Sequence, residues 1–183
     1  MKRQKFKEGS VVKIGLANQQ IVFGRLLPGF HLGILNYFLI LGEKYDIDDI
    51  LQSDTLLYVR VFKDVVEKNF FEIVGFKDLT TEDINRIPPH FAQDPIDIDK
   101  CKIYYLDGKE LDVTPNECQK LEGSIIWDAE SLASRIKNYL EGKKNPYVEL
   151  YKVILSKDDP RYLAPPNALR WDFEKGEFYR IDK

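Results

Sequence analysis

The chain is poor in the side chains that most often carry chemistry. Its 183 residues include two histidines, His31 and His90, two cysteines, Cys101 and Cys118, and one methionine. Histidine is the commonest acid or base in catalysis, but it works only with a partner that holds it in place. His31 opens an apolar run, where packing is expected, and His90 follows Pro88-Pro89 in a loop. A Cys101 nucleophile served by His90 is the one enzymatic arrangement the composition allows, and Cys101 opens a strand, which favours a buried, inert thiol. The cysteines form no Cys-x-x-Cys pair and no Cys/His metal spacing. Two readings of them stay open, reduced thiols or a single disulfide. A glycine-rich phosphate loop is missing, because Gly24, Gly29 and Gly33 are scattered through strand and turn contexts. So are long apolar stretches: the best, 32–41, is interrupted by Asn36 and too short to span a bilayer, and the basic start at 1–8 leads into no signal-peptide core. These absences predict a cytoplasmic protein with no membrane attachment, no catalytic residues, no cofactor and no metal.

What the chain does have is apolar and aromatic material. Hydrophobic residues make up 44%, aromatics 13% and charged residues 31%, the balance of a soluble globular protein. A chain of this size can bury roughly 70% of its unfolded surface without staples. Eleven Phe and ten Tyr favour β-structure over a helical bundle. The net charge of -3 argues against a general nucleic-acid binder, and Lys2, Arg3, Lys5 and Lys7 read as a frayed, solubilising arm.

The least ambiguous stretch is 122–140. Ala129, Leu132, Ala133, Ile136 and Leu140 recur at the spacing of one helix face, Asp128 can cap the start, and Gly142 with Lys143 and Lys144 suits the end. Such a narrow stripe needs a surface to cover, and strands supply it. Alternation predicts strands at 11–16, 20–27 and 31–41, a meander curling toward a barrel, then a short helix at 46–52 and strands at 56–62 and 70–76 joined by an exposed connection at 63–69. Thr80 or Thr81 caps one helical turn, 90–100 reads as an ordered surface loop, and Asp107-Gly108 marks a hairpin between 102–106 and 110–113. Thr114-Pro115-Asn116-Glu117 opens a brief helix, 147–155 reads as strand-like, Ala164-Pro165-Pro166 is a break, and 169–173 pairs with 177–181. The expected fold is α+β: a curled antiparallel sheet, partly barrel-like, covered by one main helix, with short extra helices and a C-terminal hairpin. It is read as a single domain over 1–183, with a core of about 7–142 and an extension at 143–183.

Two acidic groups stand out, Asp46, Asp48 and Asp49, and Asp94, Asp97 and Asp99. Neither has the loop glycine and terminal glutamate of an EF-hand, so they read either as solvated loop charge or as a surface that steers a basic partner.

Several segments together resemble the immunity protein 26 family, found beside polymorphic toxins of bacteria. Lys7-Glu8-Gly9-Ser10-Val11-Val12-Lys13-Ile14 followed by Ile21-Val22-Phe23-Gly24-Arg25-Leu26 is similar to that family's first hairpin, with Ser10 where an Asp is usual. Phe71-Glu72-Ile73-Val74-Gly75 resembles a strand that usually begins with Trp, and Leu121-Glu122, Trp127 and Arg135-Ile136 resemble its helix signature. The likeness covers most of 7–142. It implies a cytoplasmic, non-enzymatic protein that binds and neutralises a cognate toxin, and it carries over no binding residues. If the toxin is a nuclease its substrate groove is basic, and the six aspartates above are, from their charge alone, the expected contacts that imitate a phosphate track. The alternative is a barrel-like nucleic-acid or ribosome-associated module using Tyr37 and Phe38 for stacking.

Overall fold

A computed structural model describes residues 4–162, 169–172 and 174–180. Lys2, Arg3, the break at Ala164-Pro165-Pro166, and Phe173 and Ile181 of the expected hairpin lie outside them. In chain order the elements are β1 (Ser10–Gly15), β2 (Gln20–Leu27), β3 (His31–Ile40), α1 (Ile47–Gln52), β4 (Thr55–Val61), α2 (Asp64–Glu67), β5 (Glu72–Phe76) and α3 (Thr81–Asn85). There follow β6 (His90–Gln93), β7 (Cys101–Tyr104), β8 (Glu110–Val113), α4 (Pro115–Cys118), β9 (Glu122–Gly123), β10 (Ile126–Trp127), α5 (Ala129–Leu140), α6 (Pro146–Leu150), β11 (Leu169–Asp172) and β12 (Glu177–Arg180). The fold is α+β. Packing divides the chain into two compact units, Met1–Ile87 with Ile126–Lys137, and Pro88–Ile125 with Asn138–Lys183.

The first unit is built on a six-stranded sheet in the order β10-β4-β3-β2-β1-β5, whose first three strands form the expected meander. Among the described residues the sheet is open at β10 and β5 and does not close into a barrel. Cross-strand register puts Val11, Phe23 and Ile21 on one face, where Leu35 and Ile50 of α1 complete a buried cluster. Val12, Ile14 and Val22 on the other face are equally enclosed. The register shift opposite Val11 and Val12 leaves Val74 of β5 as the extra, unpaired residue, while β1 keeps its alternation: Val11 and Val12 are both buried because each face of the sheet is covered. Trp127 pairs beside Val61 in β10 and is buried, with the Arg135 guanidinium 4.8 Å from its ring centroid. Leu132 and Ile136 of α5 are buried as the helical stripe predicts, whereas Leu140 is exposed because it falls in the last turn.

Two expectations in this unit need correction. The exposed connection at 63–69 contains α2, whose Val65 and Val66 are buried, so the mixed charges around them hid a core contact. The N-terminal arm is held from residue 4 onward instead of frayed. Gln4 accepts from Ile73 N at 2.6 Å and donates to Phe71 O at 2.9 Å, Phe6 meets Phe30 edge-on at 5.3 Å, and Lys7 lies over the Phe76 ring.

The second unit holds a four-stranded sheet, β8-β7-β6-β9, and the hairpin β11-β12. Asp107-Gly108 makes the predicted turn, with Gly108 at φ +86°. Glu117 accepts from both the N–H and the hydroxyl of Thr114, which fixes the start of α4. The segment expected as a loop at 90–100 begins with β6 instead, because its backbone pairs with β7 on one side and β9 on the other and Phe91 is buried. The segment expected as strand-like at 147–155 begins instead in the helix α6, and its residues after Leu150 form no strand. Asn145 caps it, accepting from Tyr147 N at 3.1 Å and Val148 N at 3.2 Å, and Pro146 occupies its first turn. Beyond that helix a side chain takes the place of a neighbouring strand: Gln93 accepts from Ile154 N at 2.8 Å and donates to Ile154 O at 2.7 Å.

Candidate functional site

The second sheet has two chemically distinct faces. Phe91, Cys101 and Ile103 point to one side and pack with Cys118, Val113 and Leu121. Strand alternation puts His90, Ala92, Lys102, Tyr104, Glu110 and Asp112 on the other. An open groove of about 800 Å³ runs along part of that second face, lined by Ala92, Lys102, Tyr104 and Asp112, by Asp94, Asp99 and Lys100 of the adjoining loop and by Glu117 of α4, and it also reaches Cys101 and Val113. Four carboxylates thus face two lysines, and both lysines already have partners. Lys100 pairs with Asp97 at 2.9 Å and Lys102 with Glu110 at 2.8 Å. The groove is therefore net negative and suits a cationic guest.

Of the second acidic group, the loop brings all three residues around one turn. Asp94 accepts from Ile96 N at 2.8 Å and Asp97 N at 2.9 Å, and these N–H donors hold its carboxyl below its ordinary value. Asp97 is likewise held down, by Lys100. Asp94 and Asp99 line the groove and Asp97 does not. In the first unit, Asp46 caps α1, accepting from Asp48 N at 2.8 Å and Asp49 N at 3.3 Å, while Asp48 accepts from Lys77 Nζ at 2.7 Å. Only Asp49 of this trio is committed neither to the helix nor to a lysine, and all three remain exposed.

The imagined thiol–imidazole pair is not assembled. His90 lies opposite Tyr104 and stacks on it at 5.5 Å, while Cys101 lies opposite Gln93, three residues further along the ladder. At ~3.3 Å per residue the two groups are on the order of 10 Å apart and on opposite faces. Cys101 and Cys118 are free, buried and hydrogen-bonded to each other, and burial pushes the Cys101 thiol up to about 12. A thiol in that state is a poor nucleophile. His31 is buried and its Nδ1 lies 2.8 Å from Pro28 O; burial lowers its pKa. Tyr37, proposed for base stacking, instead packs edge-on against Phe23 at 5.8 Å in the first core. Among the described residues no three His, Cys, Asp or Glu side chains are grouped to hold a metal ion, and no helix is long and apolar enough to cross a membrane.

Sequence reasoning found Asp94 and Asp99 but missed Lys102, Tyr104, Asp112 and Glu117. The signal was available in the hairpin, where Cys101 and Ile103 alternate with Lys102 and Tyr104, and Glu110 and Asp112 flank Leu111. Alternation alone does not say that loops will wall the polar face into a groove.

Comparison with known proteins gives one informative result: a family described as Immunity protein 26 matches residues 7–102. The matched residues include the first hairpin and the 71–75 strand on which the resemblance was drawn, and stop short of Leu121, Trp127 and Arg135. No curated protein and no solved structure matches the chain.

Proposed function

Because the chain belongs to the immunity protein 26 family, we propose that it binds a cognate bacterial toxin and neutralises it by covering the toxin's active site, with no bond made or broken by its own side chains. The observation that carries this reading is the family match over 7–102. The chemistry of the surface supports it: Asp46, Asp48, Asp49, Asp94, Asp97 and Asp99 are the proposed contacts, and five of the six are exposed. If the toxin is a nuclease, its substrate groove is basic, and carboxylates at these positions occupy the places of phosphates. The protein acts in the cytoplasm, where such a toxin meets its substrate, and 1–183 works as one immunity-type domain of core 7–142 and extension 143–183.

The test is to mix the purified chain with the toxin domain encoded beside it. A stoichiometric complex that abolishes toxin activity is expected. Reversing Asp49, Asp97 and Asp99 to lysine should slow association about tenfold at low salt, with the difference shrinking as salt rises. Absence of any complex with an adjacent toxin overturns the proposal.

A further inference from the structure

β8 is the terminal strand of its sheet, with β7 on one side and, among the described residues, no strand on the other. Which of its backbone groups face outward follows from the turn. Tyr105 N donates to Lys109 O at 2.9 Å and Gly108 N donates to Tyr105 O at 3.1 Å, so the Tyr105–Lys109 pair is hydrogen-bonded. In an antiparallel ladder such pairs alternate. Leu111 and Val113 therefore bond across to Ile103 and Cys101, and the N–H and C=O of Glu110 and Asp112 point away from the sheet. Among the described residues nothing caps those groups. The contrast is β5, where the Gln4 side chain occupies the edge at Ile73. β9 and β10 are only two residues each, too short to template a partner.

The side chains on this edge choose the occupant. Glu110, Asp112 and the groove carboxylates Asp94, Asp99 and Glu117 surround it with negative charge, while Leu111, 42% exposed, gives the opposite face an apolar foothold. A second copy of this chain fits poorly. Antiparallel pairing about Leu111 would set Glu110 of one copy against Asp112 of the other, and like charges directly opposite destabilise a sheet. We propose that β8 is a docking edge, to which an extended segment of a partner protein with lysine or arginine at alternate positions adds as a fifth strand. Its backbone satisfies Glu110 and Asp112, its basic side chains lie along the acidic groove past Tyr104, and an apolar residue between them meets Leu111. Naming the toxin as the source of that segment rests on the function proposed above; the edge chemistry does not.

The experiment titrates the ¹⁵N-labelled full chain with the capped peptide Arg-Val-Arg-Val-Arg and, in parallel, with Glu-Val-Glu-Val-Glu. The amides of Glu110 and Asp112 are expected to shift with the basic peptide alone, and more than those of Leu111 and Val113, which already bond to β7. Asp112→Pro removes one outward N–H without touching the β7 ladder, and should weaken the basic peptide at least tenfold while β7 amides keep their positions. Asp112→Asn keeps the N–H, discards the charge and should weaken it a few-fold; it serves as the deciding variant if the proline chain does not fold. Shifts spread evenly over the chain, equal response to both peptides, no response, or undiminished binding by these variants would each overturn the docking edge, whatever the toxin does. Slowed amide exchange at Glu110 and Asp112 in a toxin complex assigns the segment to the toxin. A toxin that binds without that protection overturns the assignment while leaving the peptide result standing.

Discussion

Three side chains are held in states that solution measurements can read. Burial raises the Cys101 thiol to about 12 and Cys118 is enclosed beside it, so neither should react with a disulfide-exchange reagent at pH 8 until the chain is unfolded. A free-thiol assay in native buffer and in guanidinium checks this. His31 is buried with its pKa lowered, so the unfolded chain binds the extra proton more readily. Stability is then greatest above the unfolded value near 6.5 and falls as pH drops through it. The midpoint of urea unfolding should decline from pH 7.5 to 5.5, and His31→Gln should flatten that decline. At Asp83, burial alone would raise the carboxyl. The Thr80 N–H and hydroxyl and the Arg25 guanidinium, 2.8 Å away, outweigh it and hold the group below its ordinary value. Asp83→Asn should cost about 1–3 kcal/mol, because Arg25 loses its ionic partner while its Nε is already buried without a hydrogen bond. In the native chain that contribution persists above the usual carboxylate range and disappears as pH falls below it.

Among the elements, α6 depends on a residue well outside it. Arg161 donates to Glu149 O at 2.7 Å and Lys152 O at 2.9 Å, and its orientation is set by Asp159. These carbonyls belong to the last turn of α6 and the residues after it, which otherwise lack donors. Arg161→Ala should lower stability by about 2 kcal/mol, measured by chemical denaturation, since it removes charge-assisted bonds from a largely buried side chain. Elements whose signals are local were legible in the sequence: the Asp107-Gly108 turn, the Thr114-Glu117 start of α4 and the stripe of α5. Those that were not legible depend on distant partners. β6 is four residues long and exists because β7 and β9 flank it. The residues of α6 carry β-favouring Tyr and Val, and the Asn145-Pro146 start signal overrides them. The same limit applies to the groove, whose aspartates were visible as charge but whose Tyr104 and Asp112 join them only once the β7-β8 register is known.

For the whole molecule, the reading of 1–183 as one domain predicts a single cooperative unfolding transition, the same by tryptophan fluorescence and by circular dichroism. Two separated transitions would assign the compact units to independent domains. One contact within the second unit has a consequence for its C-terminal portion. The Gln93 amide is matched to both the N–H and the C=O of Ile154, so the chain after α6 is joined to β6 at that point by a removable latch and not by a strand seam. Gln93→Glu replaces the amide NH2, which donates to Ile154 O and to Ile98 O, with an acceptor facing both carbonyls, and would spring the latch while leaving every hydrogen bond between β6 and β7 in place. The trailing segment can therefore be loosened without dismantling the ladder on which it rests.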